Sequence, residues 1–397
     1  MIPVCEPLIT DAEIAAVNDC LRTGWISSTG KYLDEFEQKW AAYCGRKHGI
    51  AVSNGTASLE IAIAALQLPP GSEVILPTFT IISCATAILF NDLAPVLVDS
   101  DPNTWGIDVR KIEEKITPRT KAIMVVHIYG HPVDMTPMLQ LAQKHGLAII
   151  EDAAEVHGAE YQCYHSTTES HWRRCGSFGQ ISSFSFYANK LITTGEGGML
   201  LTDDDALATR CRSLRNLCFS PKRRFLHDEL GWNCRMTNLQ AALGVSQIGR
   251  LGDIIAKKRF IDAEYRRLLA HIPGLSFQTN EPWARCVSWV VGVLFDDAGP
   301  VNAANVMAEM KSAGIETRPF FIGMHEQPVF RQMGLFHGER YPIAEHLARN
   351  GLYLPNGLAL QPPQLREIAE TFAEIVTASA GNDHTLSRAV SMSEPLL

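Results

Sequence analysis

The sequence predicts an α/β protein: a large domain on a mixed, mostly parallel sheet, followed by a smaller C-terminal α/β domain. Three observations carry this. Apolar runs of strand length alternate with helix-like segments through the first half. Several runs are continuous in Val, Ile and Leu, as strands covered on both faces require. Around Thr237 the pattern changes to long helices.

Taken in order, "EVILPTF", "APVLVDS", "KAIMVVHIYG", "LAIIEDAA", "SSFSFY" and "GGMLLTD" read as strands, with "DMTPMLQLAQKHG" as one of the helices between them. "TNLQAALGVSQIGRL" then opens with a Thr-x-x-Gln capping box, and "IIAKKRFIDAEYRRLLAHI" gives a second long helix. The smaller domain holds the helix "NAANVMAEMKSAG", stopped by Gly314, the strand "IETRPFF" and a closing helix near "PPQLREIAETFAEIV". The expected divisions are 1–245 for an N-terminal segment with the large domain, 246–380 for the smaller domain, and 381–397 for a polar, loosely ordered tail. A length of 397 residues agrees with more than one core.

Hydrophobic residues make up 46% and charged residues 20% of the chain, the balance of a globular enzyme. The net charge of −8, with no basic block interleaved with aromatics, argues against a nucleic-acid partner; Lys222-Arg223-Arg224 is short and reads as a solvated loop, or as a spot that meets a small phosphorylated ligand. The start "MIPVCEPLITDAE" lacks a basic and then apolar leader, and no later run is long enough to span a bilayer, so a cytoplasmic location without membrane attachment is expected. Ten cysteines without a CxxC pair read as reduced, mostly buried thiols.

Three segments carry candidate chemistry. Lys190 stands between the aromatic strand "SSFSFY" and "LITTGEGGML". Burial there would penalise the ammonium form and make the amine a nucleophile able to form a Schiff base, although a lysine snorkelling from a strand end fits this stretch equally. The glycines Gly195, Gly197 and Gly198 precede a strand, the reverse of the strand-to-helix order of a dinucleotide fingerprint, and read as a turn or a close backbone approach. Asn54-Gly55-Thr56 stands at the start of an apolar helix, where free N–H groups and the helix dipole suit a phosphate, or where a plain N-cap sits. Asp152 ends an apolar strand and needs a cationic partner, such as a protonated pyridine nitrogen or an ordinary salt bridge. Together these form the set that pyridoxal 5'-phosphate requires: a phosphate cradle, a carboxylate for the ring nitrogen and a Schiff-base lysine.

At these residues the chain resembles the DegT-type sugar aminotransferases, over nearly its whole length up to the tail. The matching stretches are "GWISSTGKYLDEFE", "VSNGTASL", "VHIYGHPVDM", "IIEDAAE", "FSFYANKLITTGEGGM", "GWNCRMTNLQAALG" and "IETRPFFIGMH". The resemblance implies the aspartate-aminotransferase-like fold type I, pyridoxal phosphate as cofactor, and a homodimer with active sites at the subunit interface. It implies transfer of the amino group of L-glutamate to C4 of a nucleotide-linked 4-keto-6-deoxysugar, first of all GDP-4-keto-6-deoxymannose. Another nucleotide or another carbon position, and a pyridoxal-phosphate-binding regulator without turnover, are the alternatives.

By the same resemblance Lys190 is the Schiff-base lysine and Asp152 the ring-nitrogen partner. Gly55, Thr56 and Ser185 are phosphate contacts, and Asn233 reaches the phosphate from the neighbouring subunit. Glu155 lies beside the cofactor's ring hydroxyl, where many relatives carry glutamine. Related ketosugar dehydratases carry histidine at position 190, so Lys190 speaks for amino transfer. Trp25, Ser27, Ser28, Arg318 and His325 are candidate sugar contacts, for which packing or capping serves as well. Ile81 stands where the family usually has an aromatic residue stacked on the cofactor ring; an aliphatic side chain offers no π face. The segment "QCYHSTTESHWRRCGSFG" is longer than in close relatives. Its Cys163, His165, His171 and Cys175 match no zinc motif, and no metal is expected. His127 and His131 read as strand-end and turn residues.

Overall fold

Buried runs of Val, Ile and Leu set the strand pattern in the computed structural model, which describes residues 1–397 except 165–169, 221, 224, 298, 300 and 392–397. In chain order the strands are β1 (His48–Val52), β2 (Glu73–Pro77), β3 (Ala94–Val98), β4 (Thr120–Val126), β5 (Ala148–Asp152), β6 (Glu160–Tyr164), β7 (Ser170–Arg174), β8 (Ile181–Ser185) and β9 (Gly198–Thr202). They continue with β10 (Leu275–Phe277), β11 (Ala284–Arg285), β12 (Val291–Phe295), β13 (Arg318–Pro319) and β14 (Gly351–Leu354).

Seven strands form the main sheet in the order β1-β9-β8-β5-β4-β2-β3. β2, β3, β4, β5 and β8 pair in parallel, while β9 runs antiparallel between β8 and β1. The carboxyl ends of β1, β4, β5 and β8 therefore lie along one edge, together with the amino end of β9. Ligands bind at this edge of open α/β sheets because the loops leave the strands there. Every residue of β2, β8 and β9 is buried, consistent with helices covering both faces. The Thr237 capping box forms as expected and starts the helix Asn238–Ile248.

A second sheet, β10-β12-β14-β13, is antiparallel throughout. It has its own core, in which Ile261 and Tyr265 of the helix Leu251–Leu269 meet Val293, Met310, Leu352 and Phe372. The helix Ala303–Ser312 ends just before Gly314, which takes the left-handed conformation (φ 80°). Of "IETRPFF" only Arg318–Pro319 pairs as a strand. Pro319 has no N–H to donate, and β13 occupies the sheet edge, where that is tolerated.

In the long segment after β5, β6 pairs antiparallel with β7 and, on its other side, with β11. The last helix is Pro362–Ser391 and continues past residue 380; no proline interrupts it before Pro395. Among the described residues no helix is long and apolar enough to cross a membrane.

Candidate active site

A cavity of about 670 Å³ opens at the carboxyl edge of the main sheet. Gly55, Thr56, Ile81, Asp152, Glu155, Ser185 and Lys190 line it, so segments far apart in the chain meet around one space.

The helix Gly55–Ala65 points its first turn into this cavity. Asn54 caps it by accepting the Ala57 N–H at 2.8 Å. Gly55 and Thr56 precede the first intrahelical bond, so their N–H groups are the ones a helix leaves for an anion. A Cβ at Gly55 would lie 2.8 Å from that of Ser185, which explains the glycine. Thr56 Oγ1 is 2.8 Å from Ser83 Oγ, and the Ser185 hydroxyl accepts from the Tyr187 N–H at 3.3 Å. Close approach also answers for Gly198, where a Cβ would come within 2.2 Å of the Asn54 carbonyl oxygen.

Asp152 ends β5 and is 3% exposed. Its Oδ1 accepts the Ala154 N–H at 3.0 Å and its Oδ2 the Cys84 thiol at 3.1 Å. These neutral donors fix the carboxylate without neutralising it, leaving it free to face a cationic ring nitrogen. Its neighbour Glu151 is fully buried and accepts from the N–H groups of Gly176, Phe178 and Gly179 at 2.6–2.7 Å, with His127 Nε2 at 3.2 Å. Burial would raise its pKa, but the bond to His127 and the backbone donors win and lower it. The pair thus pins the end of β5 from behind.

Lys190 has a side chain only 10% exposed, with Nζ 3.6 Å from Glu155 Oε1 and 3.5 Å from the centre of the Trp289 ring. Burial lowers its pKa, opposed by the nearby carboxylates of Glu155 and Asp152. Glu155 Oε2 accepts the Tyr129 N–H at 2.7 Å, and Tyr129 adopts a left-handed backbone (φ 59°) where that N–H is presented. Burial pushes the Glu155 carboxyl up to about 7, against the pull of Lys190. An amine held towards its free form beside a carboxyl titrating near neutrality can take up and return protons.

The other candidates lie elsewhere. Asn233 is exposed, next to the cavity-lining Cys234, and its Oδ1 accepts from Arg235. Trp25 and Ser27 are exposed, and Ser28 is half-buried; the first two offer backbone carbonyls to Asn238. Arg318 is exposed and pairs with Glu316. His325 is buried, with Nδ1 2.8 Å from Thr78 Oγ1 and Nε2 3.4 Å from Glu345. None of these five, nor Asn233, is in the lining of the cavity. Burial pushes His131 down to about 4. His165 lies outside the described residues; Cys163 and His171 face each other across β6 and β7, and Cys175 is buried. Among the described residues no group of three or more His, Cys, Asp or Glu could hold a metal ion.

Cys84, Tyr129 and Trp289 were not singled out in the sequence. Trp289 is 100 positions from Asn189, whose carbonyl oxygen its indole N–H meets at 2.9 Å, so no local pattern could have joined them.

The residues around the cavity fit pyridoxal phosphate: a glycine-lined helix start for the phosphate, a buried carboxylate on neutral donors for the ring nitrogen, and a largely buried amine lining the same space. The comparisons agree in kind. GDP-perosamine synthase of Caulobacter vibrioides is 38% identical over 379 residues, covering 94% of this chain and 98% of that protein. The enzyme of the same name from Escherichia coli O157:H7 is 38% identical over 373 residues, with the same coverage. DesV of S. venezuelae, solved in complex with a ketimine intermediate, superposes with a TM-score of 0.83 at 32% identity, over 92% of this chain and 94% of that one. An aminotransferase from Psychrobacter cryohalolentis gives 0.86 at 28%, over 95% and 99%. Residues 7–373 match one family profile, and by that match and these relatives the chain belongs to the DegT/DnrJ/EryC1/StrS aminotransferase family.

Proposed function

We propose that this protein is a pyridoxal-phosphate-dependent aminotransferase that moves the amino group of L-glutamate to C4 of a nucleotide-linked 4-keto-6-deoxysugar, GDP-4-keto-6-deoxymannose, giving GDP-perosamine. The observation that carries it is the convergence of Gly55-Thr56, Asp152 and Lys190 on one cavity. The names of the relatives supply the sugar.

When bound, pyridoxal phosphate supplies an electron sink for the carbanion formed at the donor's Cα. Asp152 keeps the ring nitrogen protonated. Gly55, Thr56 and Ser185 hold the phosphate, anchoring one end so that Lys190 and the substrate carbon meet in register. Lys190 would hold the cofactor covalently, and its free Nζ would take the proton from Cα of glutamate and give one to C4 of the sugar. Glu155 stands 3.6 Å from that nitrogen and offsets its charge.

The working unit is a homodimer in which Asn233 reaches the phosphate of the partner's site. This is supported by its exposure beside the cavity and by the exposed apolar side chains Trp25, Tyr187, Phe225 and Leu230. Sedimentation should give twice the chain mass.

The decisive experiment is the near-visible absorption spectrum of the protein with pyridoxal phosphate, before and after adding glutamate without sugar. Conversion to the pyridoxamine spectrum is expected, after which ketosugars are screened, GDP-4-keto-6-deoxymannose first. A lysine-linked band that glutamate leaves unchanged points to another donor or to a regulator without turnover. No band at all removes the proposal.

A further inference from the structure

We propose that the indole face of Trp289 is the seat on which the Lys190 ammonium rests whenever it is not bonded to the cofactor, and that Lys258 and Asn356 are positioning residues that hold this seat. The role in transamination rests on the function proposed above; the seat itself belongs to the protein without cofactor.

The geometry starts from what Lys190 lacks. Its Nζ is stripped of most water, and Glu155 Oε1 stands 3.6 Å away, beyond good hydrogen-bond length. A buried ammonium needs further compensation, and the Trp289 ring centre, 3.5 Å from Nζ, supplies it through the negative π face. This contact carries no directional bond. An amine that must leave and return by rotating its side chain therefore loses little on departure.

Trp289 is fixed on several sides. Its indole N–H donates to the carbonyl of Asn189, the residue before Lys190, at 2.9 Å, so ring and backbone register together. Its own carbonyl oxygen accepts from Lys258 Nζ at 3.1 Å and from Asn356 Nδ2 at 2.7 Å, and Lys258 Nζ also donates to the Asn356 carbonyl at 2.8 Å. Gly130, left-handed at φ 99°, packs so closely that a Cβ there would lie 2.6 Å from the Trp289 backbone nitrogen. Lys258 is 1% exposed and its hydrogen-bond acceptors are two carbonyls, so its burial is accounted for by the carbonyls it ties together behind the indole. The titratable groups whose charges act on Lys190 are Glu155, Asp152 and Cys5, and His157 feels its charge in turn.

The test uses cofactor-free protein and acetic anhydride as a competitive probe, with Lys190 acetylation followed by peptide mass spectrometry across pH. Trp289→Leu keeps the site apolar but removes the π face, and should lower the Lys190 labelling midpoint by about one pH unit, roughly tenfold in free amine. Trp289→Phe keeps a π face and should fall by less than half as much. Lys258→Met should shift it in the same direction by a smaller amount. An unchanged or raised midpoint in Trp289→Leu, or equal shifts in the Leu and Phe variants, overturns the seat. If the Leu variant does not fold, Trp289→Met, also apolar and without a π face, takes its place under the same criterion. Labelling shifts as expected, alongside wild-type protein whose spectrum ignores glutamate, would keep the seat and discard glutamate as the donor.

Discussion

Among the described residues two lysines are largely withdrawn from solvent, and they are used differently. Lys190 lines the cavity beside Glu155 and Asp152, whereas Lys258 lines no described cavity and donates to two carbonyls. Burial lowers both, and pushes Lys258 down to about 8. Desolvation alone therefore does not mark a reactive amine. What separates them is open space on one side of Lys190, and acidic neighbours that let its proton come and go.

The comparison breaks most severely at Lys190 itself. Lys190→Ala should lose the lysine-linked absorption band and transamination by about 10⁴-fold, while Lys258→Met retains the band. If Lys258→Met also lost it, the division between the two amines would fail. Asp152→Asn comes next, with an expected loss of about a hundredfold in the glutamate half-reaction measured by stopped-flow absorbance, since in the proposed function the ring-nitrogen charge would lose its partner.

Lys258 makes its own prediction through stability. Its folded pKa lies below the unfolded value, so between about pH 8 and 10.5 the unfolded chain binds more protons and stability rises with pH. Urea midpoints at pH 7.5 and pH 10 should show wild type gaining up to about 3 kcal/mol relative to Lys258→Met. A flat difference would mean that Lys258 is not buried as a charge. Lys190, whose lowering is opposed by Glu155 and Asp152, should show less of this rise.

Smaller effects sharpen the acidic side. Glu155 is held up to about 7, so the half-reaction rate should change across pH 6–8 in wild type and lose that inflection in Glu155→Gln. A retained inflection would assign it to another group. Cys84→Ala removes the thiol bond to Asp152 Oδ2 and should weaken cofactor affinity about fivefold, with Cys84→Ser close to wild type.

Much of this was legible beforehand because local rules fixed it. The strands follow from continuous apolar runs, the helix after Asn54 from its cap, and the helix after Thr237 from its capping box. Lys190, Asp152 and Gly55 were identifiable because each sits where an apolar element stops. Trp289, Tyr129 and Cys84 were not, since an aromatic or thiol inside an apolar run has core packing as its ordinary meaning. The two-residue extent of β13 was missed because "IETRPFF" has strand composition, but its proline limits pairing at an edge.

The sequence by itself determined the class of fold, because periodicity and capping act over a few residues, and the cofactor, through the residue types in three segments and the family they resemble. Only the tertiary structure decided that these segments share one cavity, that Glu155 reaches Lys190 and that Trp289 lies beneath it. Such contacts join residues brought together by sheet order and by the meeting of two cores. Their energies come from burial and from partners that no local window of sequence contains.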